Sequence, residues 1–276
     1  MAAARYVPIN LGDRATLNST EIFSTNFPLT NLQLQGRSPT TRFLNNGGIT
    51  IQAQFSAPAP VSCVALCGHS LSPIGTIAVE LYSNINVTGL IASTGAVTVY
   101  PNGLSSTVEN LALPENAIFR NKAFYFPTAP SVGAVIIRIL DSGSSAGYNE
   151  VKRLVIGQYK EFAYQDAFGG ATLAIDSLTT VERNKSGSQV SDKGANFTRI
   201  EVKKEWIKDG SDWSDLIAAY TRLGMDADFF YSQFPSDTTM GLEEFYYQGM
   251  KKFGQMSAVD KWVYGLNRTS FSLEGQ

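Results

Sequence analysis

Through the first half of the chain the apolar residues recur at every second position, in runs of strand length that Gly, Pro, Asn and Ser cut short. Ile49, Ile51, Ala53 and Phe55 alternate with Thr50, Gln52 and Gln54 and stop at Ser56–Pro60, the pattern of a strand with one face buried. Val61–Leu66 follows, then Thr76–Ser83, where Ile77, Val79 and Leu81 alternate with more polar positions. Ala96–Tyr100, Ala123–Pro127, Gly133–Leu140 and Val151–Gly157 complete the set. None of these stretches carries helical periodicity. Many short strands joined by turns predict a β-sandwich or jelly roll.

Charge divides the chain. Residues 1–156 hold 16 charged side chains, whereas the remaining 120 residues hold 30, with all three tryptophans and 19 of the 31 aromatics. Two domains are expected, a jelly roll over 1–157 and an α+β domain over 158–276. In the second, Thr172–Asn184 and Asn196–Ile207 flank the polar arm Lys185–Ala195 and read as a long β-hairpin with an extended tip. Trp213, Leu216, Ile217, Tyr220 and Leu223 form one stripe of an amphipathic helix, with Asp212 placed to cap it, Asp215 in its first turn and Gly224 placed to end it. Asp228–Phe234, Glu244–Phe253 and Lys261–Leu266 are expected strands, with a short helix over Leu242–Met250 as the alternative. The predicted class is thus mainly β, a sandwich followed by a hairpin-and-helix domain.

A net charge of −2 gives no electrostatic footprint for nucleic acid or an anionic membrane. The N-terminal residues lack the apolar core of a secretory signal, and no apolar run reaches the length of a membrane span, so synthesis in the cytoplasm without membrane insertion is expected. Two cysteines make no disulfide framework.

Those cysteines and the only histidine share one stretch, Cys63–Ser72 (CVALCGHSLS). Gly68–Ser72 is one residue away from a lipase nucleophile elbow. A serine triad, however, takes its base from elsewhere in the fold, and the single histidine stands directly before Ser70. Cys63, Cys67 and His69 occupy alternate positions of one strand, which places the cysteines about 13 Å apart, too far for a shared metal ion or a disulfide. The stretch therefore reads as a core-facing strand with buried thiols and a histidine bonded to the following turn. A Cys67–His69 thiolate pair is disfavoured because an apolar setting raises the thiol pKa.

Elsewhere, Asp209, Asp212 and Asp215 fit a helix start better than a calcium loop, and Asp226, Asp228, Glu243 and Glu244 read as solvated turn charges. No phosphate-binding glycine pattern is present. The triplets beginning at Asn18, Asn86, Asn184, Asn196 and Asn267 carry no glycosylation meaning without secretion. The aromatics of Asp228–Phe234 and Glu244–Gly249 fit core and subunit contacts. No enzyme activity, catalytic residue, metal or cofactor is expected.

The order Asn26–Leu32 (NFPLTNL), Ser38–Phe43 (SPTTRF), Thr50–Phe55, Val61–Asn84 and Val151–Tyr159 resembles the galactose-binding-like, discoidin-type jelly rolls in tail proteins of long-tailed bacteriophages. Ala65–Ser72 matches their turn after a core strand, and Arg153–Gly157 matches the strand that closes their sandwich. Where that family often has Trp-Arg, this chain has Arg42–Phe43. The second half is similar to the ring-building domain of distal tail proteins, with the domain order reversed. The resemblance implies a structural virion protein of the tail tip or baseplate that closes into a ring, sixfold by preference and threefold next, and links the tail tube to distal components. Its implied partners are itself and other tail proteins. The implied subunit contact is the arm, Lys185, Ser186, Gly187, Ser188, Gln189, Val190, Ser191, Asp192 and Lys193. The alternative is a non-catalytic carbohydrate-binding module for host-surface glycans, with the loops Gln35–Asn46 and Asn84–Gly89 as its rim. The lack of tryptophan in this half weighs against it.

Overall fold

A computed structural model describes residues 3–36, 39–45, 47–72, 74–99, 120–144, 146–164, 170–177, 180–183, 189–192, 196–235, 247–257, 260–263 and 265–275. The chain is mainly β. Its first strands are β1 (Arg5–Val7), β2 (Thr16–Ser19), β3 (Thr41–Phe43), β4 (Gly48–Pro60), β5 (Cys63–His69), β6 (Thr76–Tyr82) and β7 (Leu90–Ser93). Next come β8 (Val97–Thr98), β9 (Arg120–Tyr125), β10 (Ser131–Leu140), β11 (Asn149–Gly157), β12 (Lys160–Glu161) and β13 (Ala171–Ser177). After β14 (Thr180–Arg183), β15 (Gln189–Asp192) and β16 (Asn196–Lys208) runs the helix α1 (Ser211–Leu223). The chain closes with β17 (Phe229–Ser232), β18 (Gln248–Met256), β19 (Asp260–Val263) and β20 (Leu266–Gly275).

Two sheets face each other as a sandwich. One has the order β2-β4-β10-β6-β7, with β8 also on β6, and the other β3-β11-β5-β9. The predicted alternation sets the contact: Ile49, Ile51, Ala53, Ile77, Val79 and Leu81 point inward and meet Val64, Leu66, Val151 and Ile156. Asp141, wholly buried, ties two loops at one end by accepting the Ser72 N–H and hydroxyl and the Gly143 N–H.

The sheet β3-β11-β5-β9 is a middle layer. β5 is buried along its whole length because its second face also meets protein. There Cys63, Ala65 and Cys67 pack with Val7, Val155 and Phe230. The cysteines are thus buried as expected, but on the face turned away from the sandwich core.

The third layer is the sheet β12-β1-β17-β18-β20-β16-β13, with β19 on β20. The expected division at 157/158 leaves Arg5–Val7 with the sandwich, whereas β1 pairs with β17 and β12. Alternation explains its place: Ala4 and Tyr6 enter the core under the helix, and Val7 enters the seam with the middle layer. Three residues are too few for this to show as a period. Gly157 accommodates the same segment, since a Cβ there would run into the Ile9 carbonyl and lie 2.8 Å from Val7 Cγ1.

Helix α1 covers the other face, with Leu216 and Ala219 buried against Ile200, Val202, Phe229, Phe253 and Phe271. Ile217, placed on the stripe from sequence, is only half-buried, and Ala219 fills the contact. Gly224 ends the helix as expected, with φ 61° and its N–H on the Tyr220 carbonyl. Asp212 does not cap it. The helix starts two residues earlier, with Gly210 at the cap, and the Asp212 carboxylate instead accepts the Ala163 N–H at 2.7 Å.

β13 and β16 pair antiparallel, and β14 with β15 forms a separate two-stranded sheet. Gln189, Val190, Ser191 and Asp192 therefore lie in a strand, while Lys185, Ser186, Gly187, Ser188 and Lys193 lie outside the described residues. Gln248–Met256 is strand, and residues 242–246 also lie outside the description.

Candidate functional site

β3 is the edge strand of the middle sheet, and its flank is closed by chain that precedes it. Ser24 N–H donates to the Arg42 carbonyl, Arg42 N–H to the Phe27 carbonyl and Leu44 N–H to the Ile22 carbonyl. The Asn31 side chain bonds the Thr40 carbonyl, and Thr41 Oγ1 donates to the Pro28 carbonyl, so the segment cannot drift. These bonds set Phe27 beside Arg42. On the other side Arg42 is in register with Glu150 of β11, and Tyr148 lies just before that strand. Phe43 faces the sandwich core, so Arg42 points to the outer face.

The Arg42 guanidinium lies between two rings, 4.5 Å from the Phe27 centroid and 4.3 Å from that of Tyr148. Its Nε and Nη2 stand 2.8 and 2.6 Å from Glu150 Oε1. Glu150 is itself held at its backbone, its carbonyl taking the Ser70 N–H and its N–H donating to Ser70 Oγ. The arginine is fixed on three sides and its side chain stays 31% exposed. Two rings and a carboxylate thus hold a side chain that remains partly open to solvent. A forked donor beside a fixed acceptor, rimmed by aromatic carbon, suits a neutral ligand rich in adjacent hydroxyls.

Arg5 is held in a similar way, between Tyr125 and Tyr159 at 4.7 and 4.5 Å and 2.7 Å from Glu161. It lies at the seam between layers and is mostly covered. Arg153, almost wholly buried, makes a two-pronged pair with Asp13 at 2.7 and 2.8 Å. Burial raises the Asp13 pKa in spite of that partner. This pair anchors the first 3-10 turn, Leu11–Arg14, on β11.

The stretch Cys63–Ser72 holds no assembled nucleophile. His69 is wholly buried, and Ser70 Oγ is engaged by Glu150. Burial pushes the Cys67 thiol up to about 12 and raises that of Cys63 as well. Among the described residues no three His, Cys, Asp or Glu side chains gather to hold a metal ion.

Of the acidic clusters, Asp209 bonds Asn267, Asp215 pairs with Lys160 and Asp212 is used at Ala163. Asp228 is not a solvated turn charge. It is buried, accepts the Gly36 N–H at 3.2 Å, and burial raises its pKa. Glu243 and Glu244 lie outside the described residues. The two loops proposed as one glycan rim lie at opposite ends of the sandwich. Asn45 and Gly47 stand at the end marked by Asn149, and Asn84 and Ile85 adjoin Gly133 at the other. Phe27, Tyr148 and Glu150 could not be found from sequence, because register alone brings them to Arg42. Arg42 lies within the expected rim Gln35–Asn46 and at the position where the resemblance is weaker.

Neither a protein-family model nor a curated protein sequence matches the chain. Among solved structures it is similar to the family 32 CBM from C. perfringens NanJ in complex with galactose, at 13% identity and a TM-score of 0.38, over 57% of this chain and 99% of that one. It is also similar to a Streptococcus pneumoniae fucose binding module, at 12% identity and 0.37, over 54% and 95%. An f-lectin (fucolectin) from Morone saxatilis serum matches at 10% identity and 0.40, over 75% and 74%. Scores of this size carry no conclusion about this chain, whose sandwich rests on its own strand pairing.

Proposed function

We propose that this chain is a non-catalytic binding protein whose sandwich takes a carbohydrate at the Phe27–Arg42–Tyr148–Glu150 group. The observation that carries the reading is the half-open arginine, fixed between two rings and a carboxylate. Such a group offers donor, acceptor and apolar carbon at set positions without further ordering cost. Galactose and fucose, named for the similar structures, choose the first probes of a titration panel. Binding should weaken at least tenfold in Arg42→Ala and in Tyr148→Ala, each checked for an unchanged melting temperature. Silence of the folded wild-type chain across hexoses, deoxyhexoses and short oligosaccharides would remove the reading.

A second reading, a tail-tip or baseplate subunit of a phage virion, is favoured by the β14–β15 ribbon. Among the described residues that ribbon pairs only with itself and belongs to none of the three large sheets. A polar ribbon of this kind suits a contact with a neighbouring subunit, and a ring needs such a repeated contact. Light scattering tests it: a ring mass that falls to 30 kDa on deletion of 180–192 supports it, and a monomeric intact chain counts against a self-assembling ring. The readings are independent, since one concerns β3 and the other the β14–β15 ribbon.

A further inference from the structure

Asn149, between Tyr148 and Glu150, is wholly buried, and neither atom of its carboxamide has a hydrogen-bond partner among the described residues. A carboxamide carries two N–H donors and an oxygen with two lone pairs, and a buried one left unmet is rare in a folded chain. Two other fully buried polar groups at this end show the contrast. Thr41 donates to the Pro28 carbonyl, and Asp141 takes three donors from Ser72 and Gly143. Register gives the direction of the Asn149 side chain. It is paired with Phe43, lies two positions before Val151, and both of those residues belong to the sandwich core. Glu150 points to the opposite face, toward Arg42. The carboxamide is therefore inside the sandwich.

We propose that an ordered water molecule is built into the sandwich at Asn149, bonded to its carboxamide. Water is the ligand that serves donor and acceptor together in a space closed to solvent, and buried waters take this role for otherwise unmet polar groups. Its place has a consequence for the outer face. Asn149 stands between Tyr148 and Glu150, which face outward, so a water that holds its carboxamide also steadies the start of β11.

Two measurements on the full chain test this. A high-resolution crystal structure should show a water within hydrogen-bond distance of Asn149 Oδ1 or Nδ2, and an empty space or a protein donor there overturns the proposal. Asn149→Leu keeps the volume and removes the polar atoms. With a water present, its remaining partners are left unmet, and the unfolding equilibrium constant should rise at least fivefold. An unfolding constant that falls by fivefold or more means that an orphaned amide was removed, and it overturns the proposal. Neither readout involves sugar binding, so the outcome is separate from that of the Arg42 site.

Discussion

The seam between the middle and third layers predicts how the two thiols react. Phe229 and Phe230 are neighbours on β17 but face opposite ways: Phe229 enters the core beneath the helix, and Phe230 packs with Cys63, Ala65 and Cys67. Both rings are buried, so truncating either to alanine should cost about 3–5 kcal/mol. At about 1.4 kcal/mol per tenfold, that is roughly two to four decades in the unfolding constant. In the wild-type chain the thiols should scarcely react. With Cys67 pushed up to about 12, only about one molecule in ten thousand carries a thiolate there at pH 8, and both cysteines are buried. The assay is the rate of disulfide exchange with an aromatic disulfide reagent, read beside denaturant stability. If labelling follows global unfolding, Phe229→Ala and Phe230→Ala accelerate it equally for equal loss of stability. If the seam opens by itself, Phe230→Ala accelerates it beyond its stability loss, because that ring lies against the cysteine strand. Labelling of both thiols within minutes in the native wild type would refute the packing described here. So would a Phe230→Ala chain that labels no faster than wild type.

Gly249 has φ 138° and a Cβ there would lie 2.6 Å from Asn121 Nδ2, which donates to the Gln248 carbonyl across the seam. Gly249→Ala should therefore destabilise by about 2 kcal/mol in thermal or denaturant unfolding. Val87 is a β-branched residue at φ 59°. Val87→Asn, suited to that conformation, should raise stability by about 1 kcal/mol, seen as a melting point some 2–4 °C higher. Asp228 sets a pH dependence. Its folded pKa is raised by burial, so the penalty for its charge is fully present above that pKa and is relieved as pH falls through it. Stability of wild type relative to Asp228→Asn should thus increase from pH 7 toward pH 4, and denaturant midpoints that diverge the other way would contradict the assignment. Asp13 shifts in the same direction and is common to both chains.

Much of the sandwich was legible because its outer strands, β4 and β6, each have one wet face, and a period of two then marks the inner one. β5 and β11 gave a different signal. Their near-continuous apolar runs report burial on both faces, yet a run of that kind does not say what lies on the second face. That is why Cys63 and Cys67 were placed in the sandwich core rather than against Phe230. β1 was hidden for a related reason, since its partners β12 and β17 lie far along the chain. The helix was visible from its stripe, while its cap was not, because Asp212 is drawn to the Ala163 N–H of another segment. The site at Arg42 is a product of register between β3 and β11, and single-sequence patterning contains no term for register between distant strands.

The layer order also accounts for where a ligand site can exist at all. The third layer covers the outer face of the middle sheet, where its residues meet β5, β9 and β11 through Cys63, Ala65, Cys67, Ala123, Tyr125 and Val155. β3 contributes nothing to that seam. Arg42 thus lies on the same sheet face as the seam but on the one strand left open, and its guanidinium finds its neighbours in Phe27 and Tyr148 instead of the third layer. Binding at β3 and assembly through the β14–β15 ribbon need not compete for surface. Arg42→Ala should accordingly abolish sugar binding while leaving the thiols as protected as in wild type. Faster labelling in that variant would mean that the arginine holds the middle sheet in shape, and that its cluster is structural rather than a place for a ligand.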